Sequence, residues 1–202
     1  MDDSFLSKDW KISLVNEAMK CGYENWKEEK FFEYVKKFGI EKDKKVGELS
    51  RGMKIKLMLS IALSHQANLL ILDEPTSGLD PSMRDELTDI LKDFVKDENN
   101  TVLFSTHITE DLDRIADYII FIDDGKIIDS SSKEEFLEKY LVLKGGAEDR
   151  DLLKDFEVLG IKANSISFDA LVKNVEREDI PDDLFVEEPD INKILVLYGR
   201  KK

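Results

Sequence analysis

Apolar residues recur at helical spacing from the start of the chain. Ile12, Leu14, Val15, Ala18 and Met19 form one stripe, which predicts a helix ending near Gly22. Phe31, Phe32, Tyr34, Val35 and Phe38 form a second, closed by Gly39. Asn25 and Glu28 stand at the spacing of a capping box and predict its start. A third helix is expected just after Ser50 and onward to about His65. Its MKIKLMLSIALS core is apolar nearly all round, which predicts burial on several sides.

The period then changes. Asn68–Asp73 and Thr101–Ser105 are short apolar runs. Met83, Leu87, Ile90, Leu91, Phe94 and Val95 between them mark an amphipathic helix of about four turns. Two apolar strands joined by a helix predict a parallel strand–helix–strand unit. A short helix over about 109–117 leads to Tyr118–Ile122, and Asp123-Asp124-Gly125 turns the chain into Lys126–Asp129 as a hairpin. Ser132 and Glu135 cap a further helix carrying Phe136, Leu137 and Tyr140. Beyond Lys144-Gly145-Gly146 the composition shifts. An acidic helix over about 149–157 alternates with short strands, and an apolar run, Ile194–Tyr198, closes the chain. The expected organisation is a helical part over about 1–66, an α/β core over about 67–140, and a small α+β extension over 141–202.

Composition narrows what this architecture does. A chain of 202 residues with 42% hydrophobic content is globular, and its net charge of −14 removes the basic face a general nucleic-acid binder needs. The single cysteine, Cys21, cannot pair internally, which points to a reducing compartment. No apolar run approaches the about 18 residues of a membrane span. The opening MDDSFLSKDW lacks the basic-then-apolar layout of a signal peptide. The expectation is a cytoplasmic chain with no direct membrane insertion, reaching a membrane only through a partner.

The chemistry concentrates at LLILDEPTSGLDP, Leu69–Pro81. An acid at the C-terminal end of a buried parallel strand stands where open α/β sheets bind ligands. Asp73 there suits Mg²⁺ held through a water, and Glu74 suits polarising a water that attacks a terminal phosphate. The plainer alternative is a capped strand end followed by a turn. Ser50, as the N-cap of a buried helix followed by Gly52, leaves free N–H groups and the positive helix end as an anion site, unless it simply starts a helix. His107, just past the second strand, can hydrogen-bond a phosphate or serve only as a strand-end histidine.

Taken together, the order and content of these pieces resemble the nucleotide-binding subunit of ABC transporters over roughly residues 1–140. Leu49-Ser50-Arg51-Gly52-Met53 matches the family's signature motif, with Arg51 and Met53 in place of a glycine and a glutamine. Such variants are similar to those of ABC-2-type exporters. Leu69–Glu74 matches the Walker B strand, Ser77-Gly78-Leu79-Asp80 the D-loop, and His107 the switch histidine. The resemblance implies an α/β fold: the C-terminal part of a P-loop NTPase core with its helical subdomain, plus the α+β extension. It implies ATP and Mg²⁺ as cofactors, with Glu74 and His107 catalytic and Asp73 on the metal. Ser50, Arg51, Gly52, Met53, Ser77, Gly78 and Asp80 would face nucleotide across a dimer interface. It also implies a homo- or heterodimer with another nucleotide-binding subunit, and a transmembrane permease that holds the chain at the inner face of the cell membrane. In such subunits the helical part faces the permease, and Trp10, Tyr23, Trp26, Phe31, Phe32 and Tyr34 are gathered there.

One motif is missing. The nearest approach to a phosphate loop, G-x-x-x-x-G-K-[ST], is Gly47 to Ile55. Met53 intrudes before Lys54, Ile55 replaces the hydroxyl residue, and no strand precedes it. The expectation is therefore a chain that alone binds MgATP weakly and does not hydrolyse it, with exposed strand edges that promote association. Two other readings remain open here: a non-catalytic interaction module docking on an intact partner, and a soluble relative acting in translation or DNA repair.

Overall fold

The computed structural model describes residues 6–200; the acidic opening Met1–Phe5 and Lys201–Lys202 lie outside the described residues. The chain forms two compact units, 1–108 and 109–202.

The first unit begins with α1 (Ile12–Gly22) and α2 (Glu28–Lys37). Ile12, Val15 and Met19 are buried on α1 while Leu14 is exposed. The stripe is thus narrower than its apolar residues suggest, and Asn16 fills part of it. That buried amide is satisfied by Trp26, whose Nε1 donates to Asn16 Oδ1 at 2.9 Å. The expected Asn25–Glu28 capping box does not form: α2 is capped by Lys27, without a side-chain bond. The Lys27 N–H donates to Ser64 O at 2.8 Å, so this helix start is set by a tertiary contact. Of the gathered aromatics, Phe31 is fully buried and Tyr23 exposed, the latter stacked on His65 at 4.4 Å.

Next come α3 (Arg51–Ser64), β1 (Leu69–Asp73), α4 (Pro81–Phe94) and β2 (Thr101–Ser105). Buried residues of α3, including Gly52, Leu57, Ser60, Ile61 and Ser64, cover a little more than half of its circumference, and past Arg51 the remaining positions are half-buried. The two serines are accommodated because each hydroxyl donates back along the helix, to Lys56 O and Ser60 O respectively. Ile55 and Leu59 of α3 meet Leu87 and Ile90 of α4, and Lys56 Nζ pairs with Glu86 Oε2 at 2.6 Å beside that seam. β1 and β2 are parallel, with Leu69 opposite Thr101 and Asp73 opposite Ser105. Neither outer edge of this pair bonds a further strand among the described residues. Leu70 faces inward, whereas Leu69, Ile71 and Leu103 are 52%, 67% and 50% exposed and line one uncovered face.

The second unit opens with α5 (Thr109–Ile115) and the hairpin β3 (Tyr118–Asp123) and β4 (Lys126–Ser132). Its turn has Asp124 at φ 46 and Gly125 at φ 71, the two positive values that a D-G hairpin turn supplies. α6 (Lys133–Glu138) is capped by Ser132. A four-stranded antiparallel sheet follows, in the order β6 (Val158–Ala163), β7 (Ser167–Lys173), β5 (Tyr140–Gly146), β8 (Phe185–Glu187). α7 (Ile191–Tyr198) takes in the closing apolar run and is started by Asp190, whose side chain accepts from the Lys193 N–H. The acidic segment is a 3-10 helix, Glu148–Asp155, in place of the expected α-helix. Asp149 is drawn back to accept from the Gly146 N–H, which favours the tighter turn.

Two cores flank this sheet. Tyr140, Val142 and Leu171 pack with Ile119, Phe136 and the α7 residues Ile191, Ile194 and Leu197. Leu141, Leu143, Phe168 and Val172 pack with Leu153 and Leu184. Position 141, where a boundary was expected, therefore lies inside β5, a strand covered on both faces. Asp129 on β4 is 7% exposed and accepts from Lys139 Nζ at 2.8 Å, Lys173 Nζ at 2.7 Å and Ser131 Oγ at 2.8 Å. That ion cluster ties the hairpin to α6 and β7.

Candidate functional site

All residues singled out for chemistry fall in the first unit and form two groups. The first stands at the C-terminal ends of β1 and β2. Asp73 is the last residue of β1, and Ser105 Oγ donates to its Oδ1 at 2.6 Å. Glu74 follows at φ 48, a left-handed conformation that costs a residue with a Cβ about 1–2 kcal/mol. Its N–H lies 3.1 Å from both Ser105 O and Ser105 Oγ. The Ser77 N–H then donates to Glu74 O at 3.2 Å, closing the turn that follows. The effect is to fold the chain back sharply and leave the Glu74 side chain beside His107.

His107 Nδ1 is 2.8 Å from Glu74 Oε2. The approach is close without being an aligned hydrogen bond, so this buried oxygen has no hydrogen-bond partner among the described residues. An unsatisfied buried carboxylate oxygen is costly and typical of a group kept for chemistry. Asp73 lies in the open, with Oδ1 engaged and Oδ2 left for another partner.

The second group joins the start of α3 to the loop before α4. Ser50 caps α3, its hydroxyl accepting from the Met53 N–H at 3.3 Å. Asp80 caps α4, accepting from the Met83 N–H at 3.0 Å, with Pro81 next in line. Both residues thus have definite structural work. Met83 covers Gly52: a Cβ there would stand 1.9 Å from Met83 Cε, so the end of that side chain would have to withdraw. Gly78, at φ 72, lies under Arg51, whose Nη1 would be 2.8 Å from an added Cβ. The Arg51 side chain therefore spans from the expected signature motif to the expected D-loop, and Ser77 is half-buried beside it. Sequence reasoning missed two participants, Ser105 and Met83. The opposition of Ser105 to Asp73 is a matter of strand register, and the i, i+3 step from Asp80 to Met83 was the only local hint of the other.

Among the described residues, no group of three or more His, Cys, Asp or Glu side chains is placed to hold a metal ion unaided. One carboxylate, Asp73, fits the case in which a nucleotide and water supply the remaining Mg²⁺ ligands.

A parallel strand–helix–strand unit with adjacent acids at its open end defines the class as an open α/β domain, with its candidate ligand site at the C-terminal ends of the strands. The comparisons make this more particular. Residues 27–113 match a family model described as AAA domain, putative AbiEii toxin, Type IV TA system. A lantibiotic transport ATP-binding protein of Streptococcus pyogenes is 47% identical over 83 residues, 41% of this chain and 36% of that protein. A bacitracin transport ATP-binding protein of Bacillus licheniformis is 39% identical over 89 residues, 44% of this chain and 29% of that protein. A solved ATP-binding subunit of an ABC transporter superposes with a TM-score of 0.61 at 21% identity, over 68% of this chain and 59% of that one. Over these residues the chain is similar to the ATP-binding subunits of ABC transporters, and its fold follows part of such a subunit. It spans about a third of the length of the curated relatives it matches.

Proposed function

We propose that this chain acts as the energy-coupling, ATP-binding subunit of an ABC exporter and works on a separate transmembrane permease. The observation that carries this reading is the end of β1. There Asp73 is presented in the open, and the next residue, Glu74, is held left-handed with a buried carboxylate oxygen that meets His107 at 2.8 Å without an aligned hydrogen bond. Asp73 would hold Mg²⁺ through water, and the ion supplies charge neutralisation at the nucleotide's phosphates. Glu74 would accept a proton from the attacking water, and His107, 2.8 Å from it, orients that carboxylate and meets the terminal phosphate. The capped start of α3, with Ser50, Arg51, Gly52 and Met53, offers its N-terminal end to a nucleotide held by a second ATP-binding subunit. Ser77, Gly78 and Asp80 lie on the loop beside it. Relatives named for lantibiotic and bacitracin transport support the transporter assignment, and one named for Nod factor export supports its direction.

No segment of this sequence reads as a phosphate loop, so the chain alone is proposed to bind MgATP weakly and not to hydrolyse it. The membrane association is peripheral in this proposal: among the described residues no helix is long and apolar enough to cross a membrane.

The test is calorimetry of MgATP binding to this chain and to Glu74→Gln, with phosphate release measured in parallel. Weak binding that a second, loop-bearing subunit strengthens, with turnover lost in Glu74→Gln, is the expected result. Failure of MgATP to bind even with such a subunit present would favour a non-catalytic interaction module. Tight binding and hydrolysis by the chain alone would refute the role given to an external phosphate loop.

A further inference from the structure

The acidic pair at the end of β1 is organised by a residue on the other strand. Ser105 stands directly opposite Asp73 in the parallel register. Its hydroxyl uses its one proton on Asp73 Oδ1, at 2.6 Å, within the range of a hydroxyl donating to an ionised carboxylate. A lone pair of the same oxygen shares the Glu74 N–H with the Ser105 carbonyl, each at 3.1 Å. One side chain therefore contacts both acids and holds them by different means: it orients the Asp73 carboxylate and anchors the Glu74 backbone. The Glu74 conformation needs such an anchor, because a residue with a Cβ at φ 48 relaxes unless its surroundings determine it.

We infer that Ser105 is the positioning residue of this site. Its hydroxyl directs the free oxygen of Asp73 outward and keeps Glu74 in the left-handed turn that sends its carboxylate to His107. This rests on the reading of Asp73 and Glu74 as the metal- and water-handling pair. A water molecule can replace the hydrogen bond to Asp73 or the one to Glu74. It cannot replace the covalent tie of that oxygen to β2, which keeps the two acids in register with each other. Alanine at 105 thus releases Asp73 from β2 and leaves the Glu74 N–H on the Ser105 carbonyl alone, so the two acids no longer share one anchor. Threonine keeps the hydroxyl and suits a strand, and cysteine keeps the volume with a much weaker donor.

The experiment uses the full chain with Ser105→Ala, Ser105→Thr and Ser105→Cys, and two NMR measurements. The first is hydrogen exchange of the Glu74 amide, with the Leu70 amide as the control for general loosening. Ser105→Ala is expected to speed Glu74 exchange by about threefold, in keeping with loss of one arm of a shared hydrogen bond whose other acceptor is the Ser105 carbonyl, with Leu70 unchanged. Ser105→Thr should stay within about twofold of the original chain and Ser105→Cys should fall between. If Ser105→Ala does not fold, the cysteine variant carries the comparison. Unchanged Glu74 exchange in the alanine or cysteine variant overturns the inference, as does a threonine variant as fast as alanine.

The second measurement is the broadening of resonances around Asp73 by Mn²⁺ in the presence of ATP. It should weaken in Ser105→Ala and return in Ser105→Thr. Serine-dependent exchange without Mn²⁺ broadening in any variant would uphold the anchor and refute the metal-handling reading of Asp73. Broadening that is indifferent to the serine, with exchange also indifferent, would do the reverse.

Discussion

Gly52 offers a prediction whose sign depends on a second residue. A Cβ built at Gly52 falls 1.9 Å from Met83 Cε and 2.6 Å from its sulfur, and 3.5 Å from Leu79 Cδ2. Carbon atoms rest at about 3.5–4.0 Å, so Met83 must withdraw while Leu79 need not move. The displaced atoms are the free end of a flexible methionine, so the cost falls at the low end of overpacking, about 1 kcal/mol. Against it stands the helix preference of alanine over glycine, about 0.5–1 kcal/mol in a helix interior and less in the first turn. Gly52→Ala should therefore destabilise the first unit by up to about 1 kcal/mol. With Met83→Ala the obstruction is gone, and adding Gly52→Ala should then stabilise by up to about 0.5 kcal/mol. The difference is a coupling of up to about 1.5 kcal/mol, within the range for residues in contact. The chain has only two tryptophans, Trp10 and Trp26, both in the first unit. Urea titrations followed by their fluorescence thus report on that unit. An equal loss from Gly52→Ala in both backgrounds would refute Met83 as the cause.

Two further substitutions probe other parts of the molecule. Burial opposes ionisation of Asp129, but hydrogen bonds from Lys139, Lys173 and Ser131 outweigh it and hold its carboxyl well below the usual range. A folded pKa lower than the unfolded one stabilises above about pH 4 and loses that contribution as pH falls further. Asp129→Asn should cost about 3 kcal/mol at neutral pH, because it leaves two part-buried lysines without their shared counter-ion. It should also flatten the acid limb of thermal stability; a limb as steep as the original would contradict the assignment. Gly78→Ala must place a Cβ both at φ 72 and against Arg51, and should cost about 1–2 kcal/mol by urea titration. Gly78→Asn, which tolerates left-handed backbone better, should cost less, and an alanine as mild as asparagine would refute the backbone argument.

The sequence made the α/β unit legible because an apolar run, an amphipathic helix and a second apolar run have distinct periods, and because Asp73 and Glu74 sit where the first run ends. Contacts that depend on register or on packing between distant residues were not legible. Ser105 lies 32 positions from Asp73, and only strand pairing brings them to 2.6 Å. Met83 over Gly52 and Arg51 over Gly78 are likewise products of how α3 meets α4. The Asn25 cap failed because a tertiary bond from Lys27 to Ser64 outweighed a local pattern. The expected break near 141 rested on composition, which does not register that β5 is buried on both faces by residues drawn from 119 to 197.

The uncovered face of the β1–β2 pair has a consequence for how the molecule behaves as a colloid. Its net charge of −14 repels other copies at long range, while Leu69, Ile71 and Leu103 form a neutral strip that attracts on contact. The two forces differ in reach, and salt acts on only one of them. Repulsion extends about 30 Å at 0.01 M salt and about 3 Å at 1 M, whereas the apolar attraction does not weaken. The chain is therefore self-avoiding in dilute buffer and self-adhesive in brine, so concentrated salt promotes its precipitation.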